Sequence, residues 1–259
     1  MAASSLSYKF CARTDQGRVR SNNEDAYAVD DAAGLAVLAD GMGGYNAGEV
    51  ASSMACANIQ REVSHWFRAD DAGTPVTLDD IRRLLERSVA QANAAVLQAA
   101  RTHAEYAGMG TTLVVGVFHG ADLVLGHIGD SRCYRLRQGQ LTRVTRDHSL
   151  LQEQLDAGLI TEDEAAVSVH RNLVTRALGV DSAVLLEMHT HGVQADDLYL
   201  MCSDGLSDML RDVDIAKLLR LPTSLEMRAQ ALIDMANDRG GRDNITVLLV
   251  HAQGQQPTV

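Results

Sequence analysis

Proline is nearly absent from this 259-residue chain, and Pro75, Pro222 and Pro257 are too scattered to build a linker. No Gly/Ser-rich tract, block of like charge or internal repeat divides the sequence, so we expect one domain over residues 1–259. Cysteine is scarce too. Cys11, Cys56, Cys133 and Cys202 lack C-x-x-C spacing and sit among apolar neighbours, which excludes a cysteine zinc cluster and predicts buried free thiols. No basic block exists, and a formal net charge of −11 argues against a nucleic-acid partner. No apolar run approaches a membrane span, and the opening MAASSLSYKFCAR has no signal-peptide core, so no membrane is expected and the protein is expected in the cytoplasm. What is present is ample apolar material for a core, 46% of residues.

The most informative stretch is Leu35-Ala36-Val37-Leu38-Ala39-Asp40-Gly41-Met42-Gly43-Gly44. Five apolar residues closed by a glycine cluster fit a buried strand, with Asp40 at its mouth. An ordinary Asp-Gly turn would explain Asp40 equally well if it stood alone. It does not. Leu198 to Cys202 is another apolar run, ending in Ser203-Asp204-Gly205, and Gly240-Gly241-Arg242-Asp243-Asn244 opens the strand Ile245 to Val250. A further carboxylate, Asp130 of Gly129-Asp130-Ser131-Arg132, follows the strand Leu123 to Ile128, where it is also placed to pair with Arg132.

The remaining chain alternates two periods. Strands are expected over Tyr8 to Thr14, Ala26 to Val29, Leu113 to Phe118, Cys133 to Leu136, Leu141 to Val144 and Val184 to His191, with a turn at Gln138-Gly139. Ala51, Ala55, Ile59, Val63 and Phe67 mark one amphipathic helix, and Ile81, Leu84, Leu85, Ala92 and Val96 a second, capped by Thr77 with Asp80. Two more capped helices follow: Asp212 precedes Val213 to Leu219, and Thr223-Ser224-Leu225-Glu226 is a capping box. Residues 147–180 interrupt the strands with helical signals, including Thr161-Glu162-Asp163-Glu164, as a lid or cover would. The tail 253–259 has little to bury. Gly108 to Thr112 lacks the Gly-Lys-Ser/Thr ending of a P-loop. His189 and His191 share a strand face with no evident third ligand.

If the edges bearing Asp40, Asp204 and Asp243 converge, like charges share a small volume at a cost of several kcal/mol, unless cations neutralise them. All-oxygen ligands select Mg²⁺ or Mn²⁺, and two such ions can activate a shared water for attack on phosphorus. No nucleophilic Cys or Ser-His-Asp arrangement competes.

Five ordered motifs, Arg20-x-x-x-Glu24-Asp25, Asp40-Gly41-Met42-Gly43-Gly44, Gly129-Asp130-Ser131-Arg132, Ser203-Asp204-Gly205 and Gly241-Arg242-Asp243-Asn244, resemble those of the metal-dependent protein serine/threonine phosphatases of the protein phosphatase 2C family, bacterial type. The match runs from about Arg13 to Val250. It implies an α+β fold, two antiparallel sheets packed as a sandwich with helices on both sides and the metals at one end. It further implies that Asp40 bridges two ions, Gly41 offers its carbonyl to one, and Asp204 and Asp243 bind the other. Glu24 and Asp25 would hold metal-bound waters, Asp130 with Asp208 would contribute to a weaker third site, Arg20 would grip the substrate phosphate, and Asn244 would support Asp243. Residues 147–180 would be the flap.

The implied activity is hydrolysis of phosphoserine and phosphothreonine by a metal-bridging hydroxide, opposing a Ser/Thr kinase, with that kinase and its targets as partners of a monomer. Family members from eukaryotes often carry a histidine at the position of Met42; methionine cannot protonate a leaving alkoxide, which leaves that task to a metal-bound water. Two rivals stand beside this: a non-catalytic phosphoprotein-binding module on the same scaffold, and a metal-dependent phosphodiesterase or small-molecule phosphatase. The first should have lost metal carboxylates, and the second lacks the motif order.

Overall fold

The computed structural model describes residues 6–44, 47–69, 75–161, 164–165 and 173–254. The apolar runs form two antiparallel sheets. In one, β1 (Leu6–Asp15) pairs with β11 (Ile245–Gly254), followed by β10 (Leu198–Cys202), β7 (Arg132–Arg137) and β8 (Gln140–Arg143). The other runs β2 (Asp25–Asp30), β3 (Leu35–Met42), β5 (Leu113–His119), β6 (Asp122–Ile128) and β9 (Glu187–Gly192), with β4 (Gly110–Thr111) pairing the end of β3.

Both sheets are buried on two sides, which is why β3, β5, β10 and β11 read as nearly unbroken apolar runs instead of alternating ones. Between the sheets, Ala36, Leu38, Val114 and Leu125 meet Tyr199, Met201, Leu248 and Val250. The outer face of the second sheet, Leu35, Val37, Val115 and Val117, receives Ile59 and Val63 of α1 (Ala47–Ala69) and Leu85 and Val89 of α2 (Leu78–Thr102). After the short helices α3 (Leu150–Asp156) and α4 (Asp204–Ser207), α5 (Asp212–Leu219) and α6 (Leu225–Asp238) cover Leu200, Val247 and Leu249 of the first sheet through Ile215, Leu219 and Leu232. The expected helix-sheet-sheet-helix layering is therefore present. The four thiols are free, as expected; Cys56, Cys133 and Cys202 are buried, whereas Cys11 on β1 is only partly so.

Several boundaries differ from expectation. Asp212 lies inside α5, whose N-cap is Arg211 with no side-chain cap bond; the Asp212 carboxylate accepts from Tyr134 Oη instead, at 3.2 Å. The cap of α6 is Ser224, accepting from Met227 N–H, one residue beyond the Thr223 box. β9 starts at Glu187, because Val184 and Leu186 turn inward to pack on the α1/α2 core before pairing begins. Within 147–180, Ser149 caps α3, and Thr161 and Glu164 make the reciprocal capping bonds. Residues 173–180 are turns and isolated bridges to Ser149 and Thr111 instead of helix, and the rest of that helical expectation, 162–163 and 166–172, lies outside the described residues. β11 takes Gln253 and Gly254 of the expected tail, and 255–259 also lie outside the description.

Candidate metal centre

The mouth of the second sheet is built around Asp40. Thr112 holds its backbone from both sides, donating N–H to Asp40 O at 2.8 Å and accepting Asp40 N–H on Oγ1 at 3.0 Å, while Thr111 Oγ1 donates to Asp40 O at 2.8 Å. Register sets Asp25 directly opposite Asp40. Gly41 N–H donates to Glu24 O at 3.1 Å, and a Cβ on Gly41 would stand 2.1 Å from Gly48 O, so glycine is what lets α1 start this close.

Across the cavity, Asp204 opens α4 directly after β10. A Cβ on Gly205 would lie 2.0 Å from Asn244 O, so glycine again permits the approach that sets Asp204 beside Asp243. Asn244 ties three segments together. Its Oδ1 accepts Glu24 N–H at 2.8 Å, and its Nδ2 donates to Gln16 O at 3.0 Å and Asn22 O at 2.8 Å, which fixes the loop that carries Arg20. Ser203 Oγ donates to Asp25 Oδ2 at 2.7 Å and accepts Thr246 N–H at 2.9 Å, joining the two sheets beneath the cavity.

Arg20, Glu24, Asp40, Gly41, Asp130, Asp204, Asp243 and Asn244 line one cavity of about 190 Å³. Two expected residues stand elsewhere. Asp25 lies buried behind the wall, and Asp208, whose N–H donates to Asp204 O at 2.7 Å, lines an adjoining cavity of about 200 Å³ that also has Asp204, Asp243 and Arg20 in its walls. Withdrawal from solvent, followed by repulsion from neighbouring carboxylates, holds Asp40 and Asp204 well above the usual carboxylate range. Burial pushes Asp25 and Asp130 up to about 6 and raises Glu24 as well. Asp25 Oδ1 is buried without a hydrogen-bond partner. Crowded carboxylate oxygens, with the orphaned Asp25 oxygen behind them and no thiol or imidazole among the lining groups, fit hard divalent cations of the Mg²⁺ or Mn²⁺ type.

Arg20 Nη2 lies 2.6 Å from Asp243 Oδ2, with the guanidinium half exposed, so it presents its remaining donors at the cavity mouth. Asp130 does not pair with Arg132 by hydrogen bond: Arg132, partly buried, turns to the buried Asp147, with Nη2 2.6 Å from Oδ2 and Nε 3.0 Å from the same oxygen. Sequence reasoning missed Thr111, Thr112 and Ser203, the groups that fix the backbone and the carboxylate behind the site. The only signal was a pair of hydroxyl residues opening an apolar strand after Gly-x-Gly. Met42 and Val174 supply the apolar part of the cavity wall, Val174 arriving from within the expected flap, 147–180.

Comparison with known proteins agrees with this geometry. The protein phosphatase 2C family model matches residues 15–245. The serine/threonine phosphatase stp of Listeria welshimeri is 37% identical over 241 residues, covering 92% of this chain and 93% of its own. The serine/threonine protein phosphatase PstP of Mycobacterium tuberculosis is 41% identical over 250 residues, 96% of this chain but 46% of that longer protein. A solved catalytic domain of PstP, in complex with 2 manganese ions, superposes with a TM-score of 0.84 at 38% identity, covering 96% of this chain and 99% of that one.

Proposed function

The chain belongs to the protein phosphatase 2C family, and on that premise we propose that it removes phosphate from phosphoserine and phosphothreonine in proteins, using Mn²⁺ or Mg²⁺. What carries this is the convergence of Asp40, Asp204 and Asp243 from three strand ends on one cavity, with Asp40 and Asp204 held far from their ordinary ionisation by burial first and by neighbouring carboxylates second.

Asp40, the Gly41 carbonyl, Asp204 and Asp243 would hold two ions, Glu24 and Asp25 their waters, and Asp130 with Asp208 a weaker third. Bound there, the ions supply an activated water for in-line attack and offset charge on the phosphoryl oxygens. The chain does the rest. Arg20 binds and orients the phosphate by charge-assisted hydrogen bonds. Asn244 and Ser203 keep the carboxylates in register. Met42 has no proton to give, so no side chain at that position protonates the leaving alkoxide.

The partners on this reading are phosphoproteins, among them a cognate Ser/Thr kinase and its targets, met by a cytoplasmic monomer whose 259 residues form one phosphatase domain with a flap near 147–180. Among the described residues no helix is long and apolar enough to cross a membrane. The test is phosphate release from a phosphothreonine peptide with and without Mn²⁺, for the wild type and Asp243→Ala in parallel. Mn²⁺-dependent turnover that the variant loses supports the reading. Full turnover in Asp243→Ala would overturn the assignment.

A further inference from the structure

Away from the carboxylate cavity, His127 on β6, His148 between β8 and α3, and Glu187 opening β9 bring their ligand-capable atoms within 4.8 Å of one another. The spacing suits a metal, but the protons exclude one. Gly129 N–H, which only donates, meets His148 Nδ1 at 3.1 Å, so the neutral ring carries its proton on Nε2, 3.1 Å from Glu187 Oε2. Burial raises Glu187, yet its hydrogen bonds from His189 and His148 outweigh this and bring it to about 2, so it accepts as a carboxylate. His148 has no lone pair left for a cation. Its ring also stacks on His127 at 4.7 Å with planes 12° apart, and parallel rings cannot both aim in-plane lone pairs at one ion.

What the cluster does instead is grip one turn. His148 N–H donates to Gly129 O at 2.9 Å while its ring accepts Gly129 N–H, so a single residue holds both polar groups of Gly129. Gly129 sits at φ +98°, where a Cβ would be 2.7 Å from Thr112 Cγ2, and the next residue is Asp130. The His148 carbonyl accepts Thr175 N–H at 2.8 Å, and Leu150 N–H donates to Leu173 O at 2.9 Å, which clamps Val174 at the cavity wall. Glu187 anchors the far side of the ring to β9, and His127 Nε2–H, 2.8 Å from Arg146 O, buttresses its face.

We propose that His148 is a positioning residue that makes the Gly129–Asp130 turn and the 173–175 segment one mechanical unit, and so sets the affinity of the weak cation site at Asp130. This rests on the metal-phosphatase reading above, in which Asp130 serves that site.

The test is Mn²⁺ titration calorimetry, with phosphopeptide kinetics alongside, on the wild type, His148→Asn and His148→Gln. Asparagine Oδ1 stands where Nδ1 does and keeps the acceptor for Gly129 N–H; glutamine reaches the Nε2 position and leaves that N–H unpartnered. Loss of one such bond predicts weak-site affinity about tenfold lower in His148→Gln, near wild type in His148→Asn, and the tight pair unchanged in both. A purely structural role would lower melting temperature alike in both variants and leave Mn²⁺ affinity alone, and that result overturns the proposal. So does a wild type with no weak class of site. If His148→Gln does not fold, Glu187→Ala, which frees the far side of the ring, is expected to weaken the same site about threefold, and unchanged affinity overturns the proposal. Calorimetry reads the weak site whether or not the protein turns over phosphopeptide, so failure of the phosphatase reading remains distinguishable.

Discussion

Asp25 and Asp40 stand directly opposite each other across β2 and β3, one buried behind the cavity and the other in its wall. Like charges at facing positions of an antiparallel pair destabilise a sheet. Here the pair is reinforced rather than avoided, since Ser203 fixes Asp25 and Thr112 fixes the Asp40 backbone. The sheet end is thus built at a cost that a cation bound there would relieve.

That cost is measurable. Asp25 titrates near 6 in the folded protein against an ordinary 3.8, because burial disfavours its charge. Between those values the folded state holds more protons than the unfolded one, so this group's contribution to metal-free stability falls as pH rises from about 4 to about 6 and stays low above. Asp25→Asn removes the penalty. In EDTA at pH 7.5 it should melt higher than the wild type by up to ~6–12 °C, from about 3 kcal/mol and ~2–4 °C per kcal/mol. The gain should fade as pH approaches 4, and Mn²⁺ should stabilise the variant less than the wild type. A gain of equal size at both pH values would contradict the electrostatic origin.

Ser203→Ala tests the link between the sheets. It strips partners from Asp25 Oδ2 and Thr246 N–H, both buried, and an unsatisfied buried group costs about 1–3 kcal/mol. We expect a lower melting temperature and weaker Mn²⁺ binding together, read by calorimetry. A fall in stability with intact Mn²⁺ affinity would separate Ser203 from the metal centre.

How much of this was legible follows from where the information sits. Asp40, Asp204 and Asp243 announce themselves because strand-ending carboxylates beside glycine are visible in one dimension, and the glycines prove to be where backbone meets backbone, at Gly41 and Gly205. Thr112 and Ser203 do not, since a hydroxyl's role is fixed by which distant group it meets, 72 residues away for Thr112 and 178 for Ser203. The same holds for Arg132, whose nearest candidate partner in sequence, Asp130, loses to Asp147. Helix caps were off by a residue at Thr223 because Thr and Ser stand side by side there and both can cap; which one does is set by how α6 docks.

Arg20 is the substrate-side prediction. Its guanidinium is half exposed and reaches Asp243, so its removal should cost little stability. Losing charge-assisted bonds to a phosphate is worth about 1.5–3 kcal/mol, so Arg20→Ala should raise KM for a phosphopeptide by about tenfold or more at saturating Mn²⁺, with a smaller effect on kcat. Arg20→Lys keeps the charge but not the planar fork and should fall between. An unchanged KM in Arg20→Ala would remove the residue from phosphate binding.

The last prediction concerns the opposite end of β7, where function is not at stake. Asp197 is only 1% exposed, and Arg137 meets both its oxygens, Nε at 2.7 Å and Nη2 at 2.6 Å, while Nη2 also reaches Gly192 O. In Arg137→Ala the carboxylate keeps Gln194 N–H and loses its cation. A buried charge deprived of its partner costs about 3–5 kcal/mol, whereas removing both charges costs much less, because the remaining volume no longer has to solvate an ion. Arg137→Ala should therefore melt ~6–20 °C below the wild type, and the Arg137→Ala/Asp197→Ala pair should recover part of that loss. Turnover per folded molecule and its Mn²⁺ dependence, measured well below melting, should match the wild type, since β7 carries Arg132 at the end near the cavity and Arg137 at the far one. A double variant no more stable than Arg137→Ala would mean that the stability lost there is packing of the arginine stem and not the charge it neutralises.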